Sequence, residues 1–299
     1  VLVSRDASGK VFDVTPAPYN VRTTAHEYGG GAYLVQDRIV YFCNFSDQRI
    51  YRQEVGKTPE PLTVEAPVRY ADFCLDSKRN RLICVQEDHT TADQEPITTL
   101  SSVSLKDGSV EMLIAGNDFY AAPRLSPNGM FMSWMSWNHP NMPWDESFVW
   151  CGNVASDGSL SNMRQIAGGT AESVFQPHWS AEEELFYISD RSGWWNLYRH
   201  TDYEGEQEIA VKEADFGYPL WNFGMTTYDF ASRTEIVCAY TSEGIWKLAL
   251  IDTASGEFKP FALPYTDITS IKAANGKAYF RGSAPTEPGA IVEMDLTTG

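Results

Sequence analysis

Residues 173–199 read SVFQPHWSAEEELFYISDRSGWWNLYR. An approach segment, VFQPHW at 174–179, enters a polar turn at 180–183, and an apolar run, LFYI at 185–188, follows. A tight break, SDRSG at 189–193, leads to a second run, WNLY at 195–198. Short β-rich runs divided by turn residues every ~8–12 positions predict an all-β meander. The arrangement returns along the whole chain. With Leu197-Tyr198 taken as a third-strand mark, steps of about 48 residues reach Val149-Trp150, Ser101-Ser102, Ile50-Tyr51 and Leu2-Val3 going back, and Trp246-Lys247 and Val292-Glu293 going forward. Apolar second strands precede the marks at 39–42, 81–85, 130–135, 185–188, 235–240 and 277–281. Turns such as Ser126-Pro127-Asn128-Gly129 and Asn275-Gly276 precede those.

Seven marks at roughly 46–51 residues match the period of four-stranded blades. The expected fold is therefore all-β, a seven-bladed β-propeller of four-stranded antiparallel blades, forming one domain over 1–299. Its first and last blades are expected to be incomplete. Residues 1–14, with a turn at 6–9, supply only third and fourth strands, and the sequence stops at 296–299 just after a third strand. The chain is on this reading a piece of something longer. Leu2-Val3 and Val292-Glu293 both fall at third-strand positions and would compete for one place in a shared sheet. Separate part-blades are expected, two-stranded at the start and three-stranded at the end, with exposed edges.

Composition agrees with this architecture. No helical period runs over ten or more residues. The 15 Tyr, 15 Phe and 9 Trp suit flat interfaces between blades. A net charge of −17 and no Lys or Arg cluster exclude a nucleic-acid partner, since counterion release needs such clusters. The charge reads first as a solvated surface and second as a field for cationic substrates. Cys43, Cys74, Cys84, Cys151 and Cys238 have no metal-type spacing and read as buried free thiols. They favour a reducing, cytoplasmic location. No run of 18 apolar residues exists, so no membrane helix is expected.

Several loops stand out. VRTTAHEYGGGAY at 21–33 has three consecutive glycines, which permit positive φ and close backbone approach. Without GxGxxG spacing or a following helix it is no phosphate cradle. Glycine is expected there because the innermost strands crowd the channel. His26, Glu27 and Tyr28 are then channel-facing groups or contacts to another domain. The connection at 87–96 is acidic. That at 137–146, WNHPNMPWDE, holds Trp137, His139 and Trp144 with two prolines. Its exposed Trp pair reads as a contact site, and equally as a loop folded over its own blade. Arg191, Trp194 and Trp195 occupy the corresponding connection of the following blade, and FGYPLWNFGM at 216–225 opens the next. All are expected on one face.

Chemistry is missing. No G-x-S-x-G elbow occurs, and the five His show no metal-ligand spacing. No catalytic or metal-binding residue is assigned, and no cofactor is implied.

Four strings together resemble the propeller of the prolyl oligopeptidase family of serine peptidases, nearest its acylaminoacyl-peptidase and dipeptidyl-aminopeptidase-like branch. They are VRTTAHEYGGGAY at 21–33, LSPNGMFMSWMSWNHPNMPW at 125–144, residues 174–199, and 216–225. The resemblance covers nearly the whole chain. It implies a non-catalytic gating domain for a hydrolase that acts on short peptides. It also implies an α/β-hydrolase partner domain, carrying Ser, Asp and His, beyond residue 299. The Glu pair with which the dipeptidyl branch holds a substrate amine has no matching string. The competing reading is a stand-alone propeller serving as a protein- or ligand-binding scaffold. An enzyme using the channel itself is a third, against which the missing carboxylate and metal clusters count.

Overall fold

A computed structural model of the chain describes every residue except 7, 203 and 299; Ala7 of the expected first turn and the last residue of the expected domain thus lie outside the described residues. A two-stranded ribbon, β1 (Val3–Arg5) and β2 (Val11–Asp13), comes first. The first blade is β3 (Tyr33–Gln36), β4 (Ile39–Cys43), β5 (Ile50–Glu54) and β6 (Glu60–Pro61). The second is β7 (Val68–Asp76), β8 (Arg81–Asp88), β9 (Ile97–Ser104) and β10 (Val110–Ile114). The third is β11 (Phe119–Leu125), β12 (Phe131–Trp137), β13 (Phe148–Val154) and β14 (Leu160–Gly168). The fourth is β15 (Val174–Trp179), β16 (Leu185–Ser189), β17 (Asn196–Thr201) and β18 (Gly205–Ala210). The fifth is β19 (Tyr228–Phe230), β20 (Glu235–Ser242), β21 (Ile245–Asp252) and β22 (Phe258–Phe261). The sixth has three strands, β23 (Asp267–Ala274), β24 (Lys277–Ala284) and β25 (Glu287–Asp295). All ladders are antiparallel, and neighbours in sequence are neighbours in each sheet.

Every expected second strand is present, and every mark from Ile50-Tyr51 to Val292-Glu293 lies in a third strand. The blade count is corrected from seven to six. The seventh position holds only the ribbon, whose ladder joins neither flanking sheet. It is pinned instead by packing and caps. Leu2 and Val14 pack with Val40, Phe42 and Tyr51 of the first blade. The Gln53 amide donates to the Val14 carbonyl at 2.7 Å. Lys277 and, more weakly, Arg5 hold the Glu293 carboxyl below its ordinary value, so β1 lies within electrostatic reach of β25.

Apolar side chains fill the seams between blades. One cluster joins Ile83 and Leu100 of the second blade to Tyr120 and Trp134 of the third and Tyr187 and Tyr198 of the fourth. Two others join the fourth to the fifth and the fifth to the sixth. Fully burying one such side chain stabilises by about 1.5–3 kcal/mol. The five cysteines are free, and all but the half-buried Cys74 are buried.

A shared irregularity shapes the channel. The innermost strands β7, β11, β15 and β23 each break register, and Asp72, Ala122, Gln176 and Ser270 at those breaks have φ of 50–61°. Such bulges free backbone and side-chain groups from the ladder and re-aim them. Here they lace one blade to the next. Asp72 N donates to the Gly31 carbonyl at 2.9 Å, and Asp72 Oδ2 accepts from Ala122 N at 2.7 Å. Trp179 Nε1 donates to the Arg124 carbonyl at 3.1 Å. Gln176 Oε1 accepts from Thr227 N at 2.7 Å, and Asp229 Oδ2 from Ala273 N at 3.0 Å. A cavity of about 50 Å³ lies among the inner strands, bordered by Asp72, Arg124, His178 and Lys272 among others. That volume holds one or two waters and no amino-acid side chain of ordinary size.

Candidate functional site

In an antiparallel up-and-down blade, the start of the first strand and the connection between second and third strands lie at the same end. Residues 15–32, 138–147, 190–195 and 211–227 therefore share one face of the disc. The sequence-chosen residues all fall on it, and they separate into four situations.

His26 sits at the channel mouth. Its ring meets those of Phe119 at 5.2 Å, Trp137 at 5.8 Å and Phe223 at 4.5 Å. Trp137 ends β12, is buried, and stacks on Phe119 at 5.3 Å. His26 N donates to Glu87 Oε1 at 2.7 Å, whereas His26 Nε2 has no hydrogen-bond partner among the described residues. Burial pushes the imidazole down from 6.5 to about 4, against a smaller upward pull from Asp72. His26 is thus neutral, and its 3.7 Å approach to Glu87 is no ion pair at neutral pH. His139 is exposed; its N and Nδ1 lie 2.9 and 3.1 Å from Asp118 Oδ2, and its ring is 4.8 Å from Phe119.

The three glycines have positive φ and are closely approached by backbone, Gly29 by Thr23, Gly30 by Phe223 and Gly31 by Asp72 of the inner strand β7. Gly30 forms a parallel bridge with Phe223, whose N donates to the Gly29 carbonyl at 2.9 Å. A Cβ on Gly30 would lie 2.3 Å from the Phe223 carbonyl oxygen, and one on Gly31 would lie 2.9 Å from Asp72 N. The segment thus spans from the first blade to the approach of the fifth.

Glu27 is exposed at the rim and accepts from Arg69 Nη1 at 2.6 Å, which holds its carboxyl below the ordinary value. Tyr28 is 70% exposed and stands edge-on to Trp221 at 6.2 Å; Trp221, 53% exposed, meets the half-buried Trp144 at 4.6 Å. These three rings from three separated segments form an open aromatic patch.

Arg191 is turned into its own blade. It pairs with Glu172 at 2.9 Å and with Glu206, donates from Nε to Ser189 Oγ at 2.9 Å, and lies 4.5 Å over the Tyr198 ring. Its side chain is committed to holding the fourth blade. Trp194 is 40% exposed, and Trp195 stacks on Phe175 at 6.5 Å. Both line a separate cleft between the fourth and fifth blades, with Tyr218 and Trp246.

The sequence choices omitted Phe119, Trp221 and Phe223, which join the chosen residues. Trp221 and Phe223 lie in the 216–225 string, so that composition signal was available. Nothing in the sequence pairs Phe223 with Gly30. Among the described residues no group of three or more His, Cys, Asp or Glu is placed to hold a metal ion.

No family model and no curated protein matches the chain. Solved structures do. A puromycin hydrolase is 29% identical with a TM-score of 0.92 over 99% of this chain. A puromycin-hydrolyzing peptidase of Mycobacterium tuberculosis is 33% identical with a TM-score of 0.89 over 97% of it. Over nearly its whole length the chain is similar to about half of each of these two enzymes, consistent with an N-terminal propeller domain of prolyl oligopeptidase-family peptidases. Prolyl oligopeptidase B of Galerina marginata, 11% identical with a TM-score of 0.63 over 87% of the chain, shares the fold. The chain spans 48% and 47% of the two puromycin-hydrolysing chains, about half their length.

Proposed function

We propose that this chain is the non-catalytic propeller of a serine peptidase that acts on short peptides, of acylaminoacyl or dipeptidyl aminopeptidase type. The aromatic face docks against an α/β-hydrolase domain and screens what reaches it. The observation carrying this reading is the near-complete match of the chain to half of two puromycin-hydrolysing enzymes. The face supports it. Tyr28, Trp144 and Trp221 leave a patch of rings open on one side of the disc, and exposed aromatic clusters favour partner surfaces. Screening on this reading happens around the disc and not through it, because residues 25–31 and Phe223 block the channel mouth. His26, Glu27 and Trp137 then act by building that plug, and Tyr28, His139, Trp144 and Trp194 by contact. Puromycin is the substrate to try first on the whole enzyme. The deciding experiment is to sequence the reading frame beyond residue 299. A G-x-S-x-G elbow supports the proposal; a stop codon directly after residue 299 overturns it in favour of a stand-alone scaffold.

A further inference from the structure

The cleft between the fourth and fifth blades differs from the rest of the aromatic face. Its volume is about 420 Å³. Trp194, Trp195, Tyr218 and Trp246 line it, together with Asp190 and Asp215. Tyr218 and Trp246 meet edge to face at 5.5 Å. Trp195 lies against Gly217, where an added Cβ would be 2.8 Å from its ring. Only glycine lets the ring settle there, so this wall is built by the fold. Each carboxylate keeps one oxygen on the backbone: Asp190 Oδ1 accepts from Ser173 N at 2.7 Å, and Asp215 Oδ1 from Trp195 N at 3.0 Å. Neither forms an ion pair among the described residues. The nearby bases are occupied elsewhere, Arg191 by Glu172 and Glu206, and Lys212 over the Phe258 ring at 4.1 Å.

We infer that this cleft is a receptor for a guanidinium group, such as an arginine side chain presented to the aromatic face. Aromatic walls and unpaired carboxylates together select an organic cation. A guanidinium suits them better than an ammonium because it is planar, stacks on ring faces and presents a fork of donors to carboxylate oxygens. The chain's charge of −17 adds attraction at a distance. The inference rests on the cleft alone and is tested on the chain without a docked hydrolase domain.

The test is a titration of the 299-residue chain with Nα-acetyl-arginine amide, followed by the indole N–H signals of Trp194, Trp195 and Trp246 in NMR. Saturable shifts confined to these indoles are expected, with none from Nα-acetyl-citrulline amide, which has the same shape without the charge. Asp190→Asn and Asp215→Asn each retain an accepting oxygen for the backbone bond, so the fold is kept. Each should weaken binding about tenfold, the loss of one charge-assisted contact. Glu111→Gln, exposed and away from the cleft, should bind as the parent does. Equal shifts with the citrulline compound, or undiminished binding by both Asn variants, would overturn the inference. So would binding of glycine amide without binding of the arginine compound, which would make the cleft an amine site.

Discussion

Gly30→Ala probes the plug that closes the channel. Gly30 has φ of +88°, and an added Cβ would lie 2.3 Å from the oxygen and 2.7 Å from the nitrogen of Phe223. Left-handed backbone costs an alanine roughly 1–2 kcal/mol. The clash is with backbone, so the strands must part. Parting them loses the Phe223 N to Gly29 O bond, about 1 kcal/mol. It also loosens Phe223 from His26, where an aromatic pair contributes about 0.5–1.5 kcal/mol. The total is roughly 3–4 kcal/mol, which for a chain of this length melting as one unit lowers Tm by about 5–6 °C at ~2.1 cal/mol/K per residue. Gly56→Ala is the control. Gly56 has φ of +92° with nothing within 4 Å of an added Cβ, so only the backbone cost applies, about 2–3 °C. Thermal melts followed by near-UV circular dichroism measure both, and amide exchange at 25–31 should rise only in Gly30→Ala. Equal Tm losses in the two variants would refute the close approach and with it the closed mouth.

Acid should weaken the plug. The His26 pKa falls from 6.5 to about 4 in the fold, so the unfolded chain binds the extra proton first as pH drops. Stability from this group is full above pH ~6.5 and is lost as pH falls toward about 4, by roughly 3 kcal/mol in all. His26→Phe should therefore lose less Tm than the parent between pH 7 and pH 4; parallel losses would contradict the assignment. Arg191→Ala should lower stability by about 1–3 kcal/mol and couple non-additively with Glu172→Gln in a melting-based double-mutant cycle. An unchanged Tm would return Arg191 to the surface role read from its loop position. Amides of residues 1–14 should exchange far faster than those of 185–198, because the ribbon's ladder joins no blade; equal protection would show that it is paired into a sheet.

Most of the architecture is legible in the sequence because third strands recur at a fixed period and the marks need only local pattern. The same phase overcounted the blades. It locates Leu2-Val3 in an incomplete first blade of two strands, and the ribbon has those two strands but no ladder to a neighbouring sheet, so it does not count as a blade. The bulges were not legible, since Asp72, Ala122, Gln176 and Ser270 share no residue type; they are fixed by lacing between blades. The face of the candidate residues followed from strand direction alone. Arg191 reads from its loop position as an interface residue, and its pairing with Glu172 and Glu206, distant in sequence, is not visible in the local string. The contact of Gly30 with Phe223 crosses the channel, and sequence spacing carries no trace of it.

Fluorophosphonate labelling, with the modified serine located by peptide mass spectrometry, tests the central proposal most directly. It should be run on the 299-residue chain and on the full product of the same gene. The account predicts no labelled serine within 1–299, no hydrolysis of acylaminoacyl or aminoacyl nitroanilides by that chain, and a single labelled serine beyond residue 299. Stoichiometric labelling of any serine within 1–299 would contradict it.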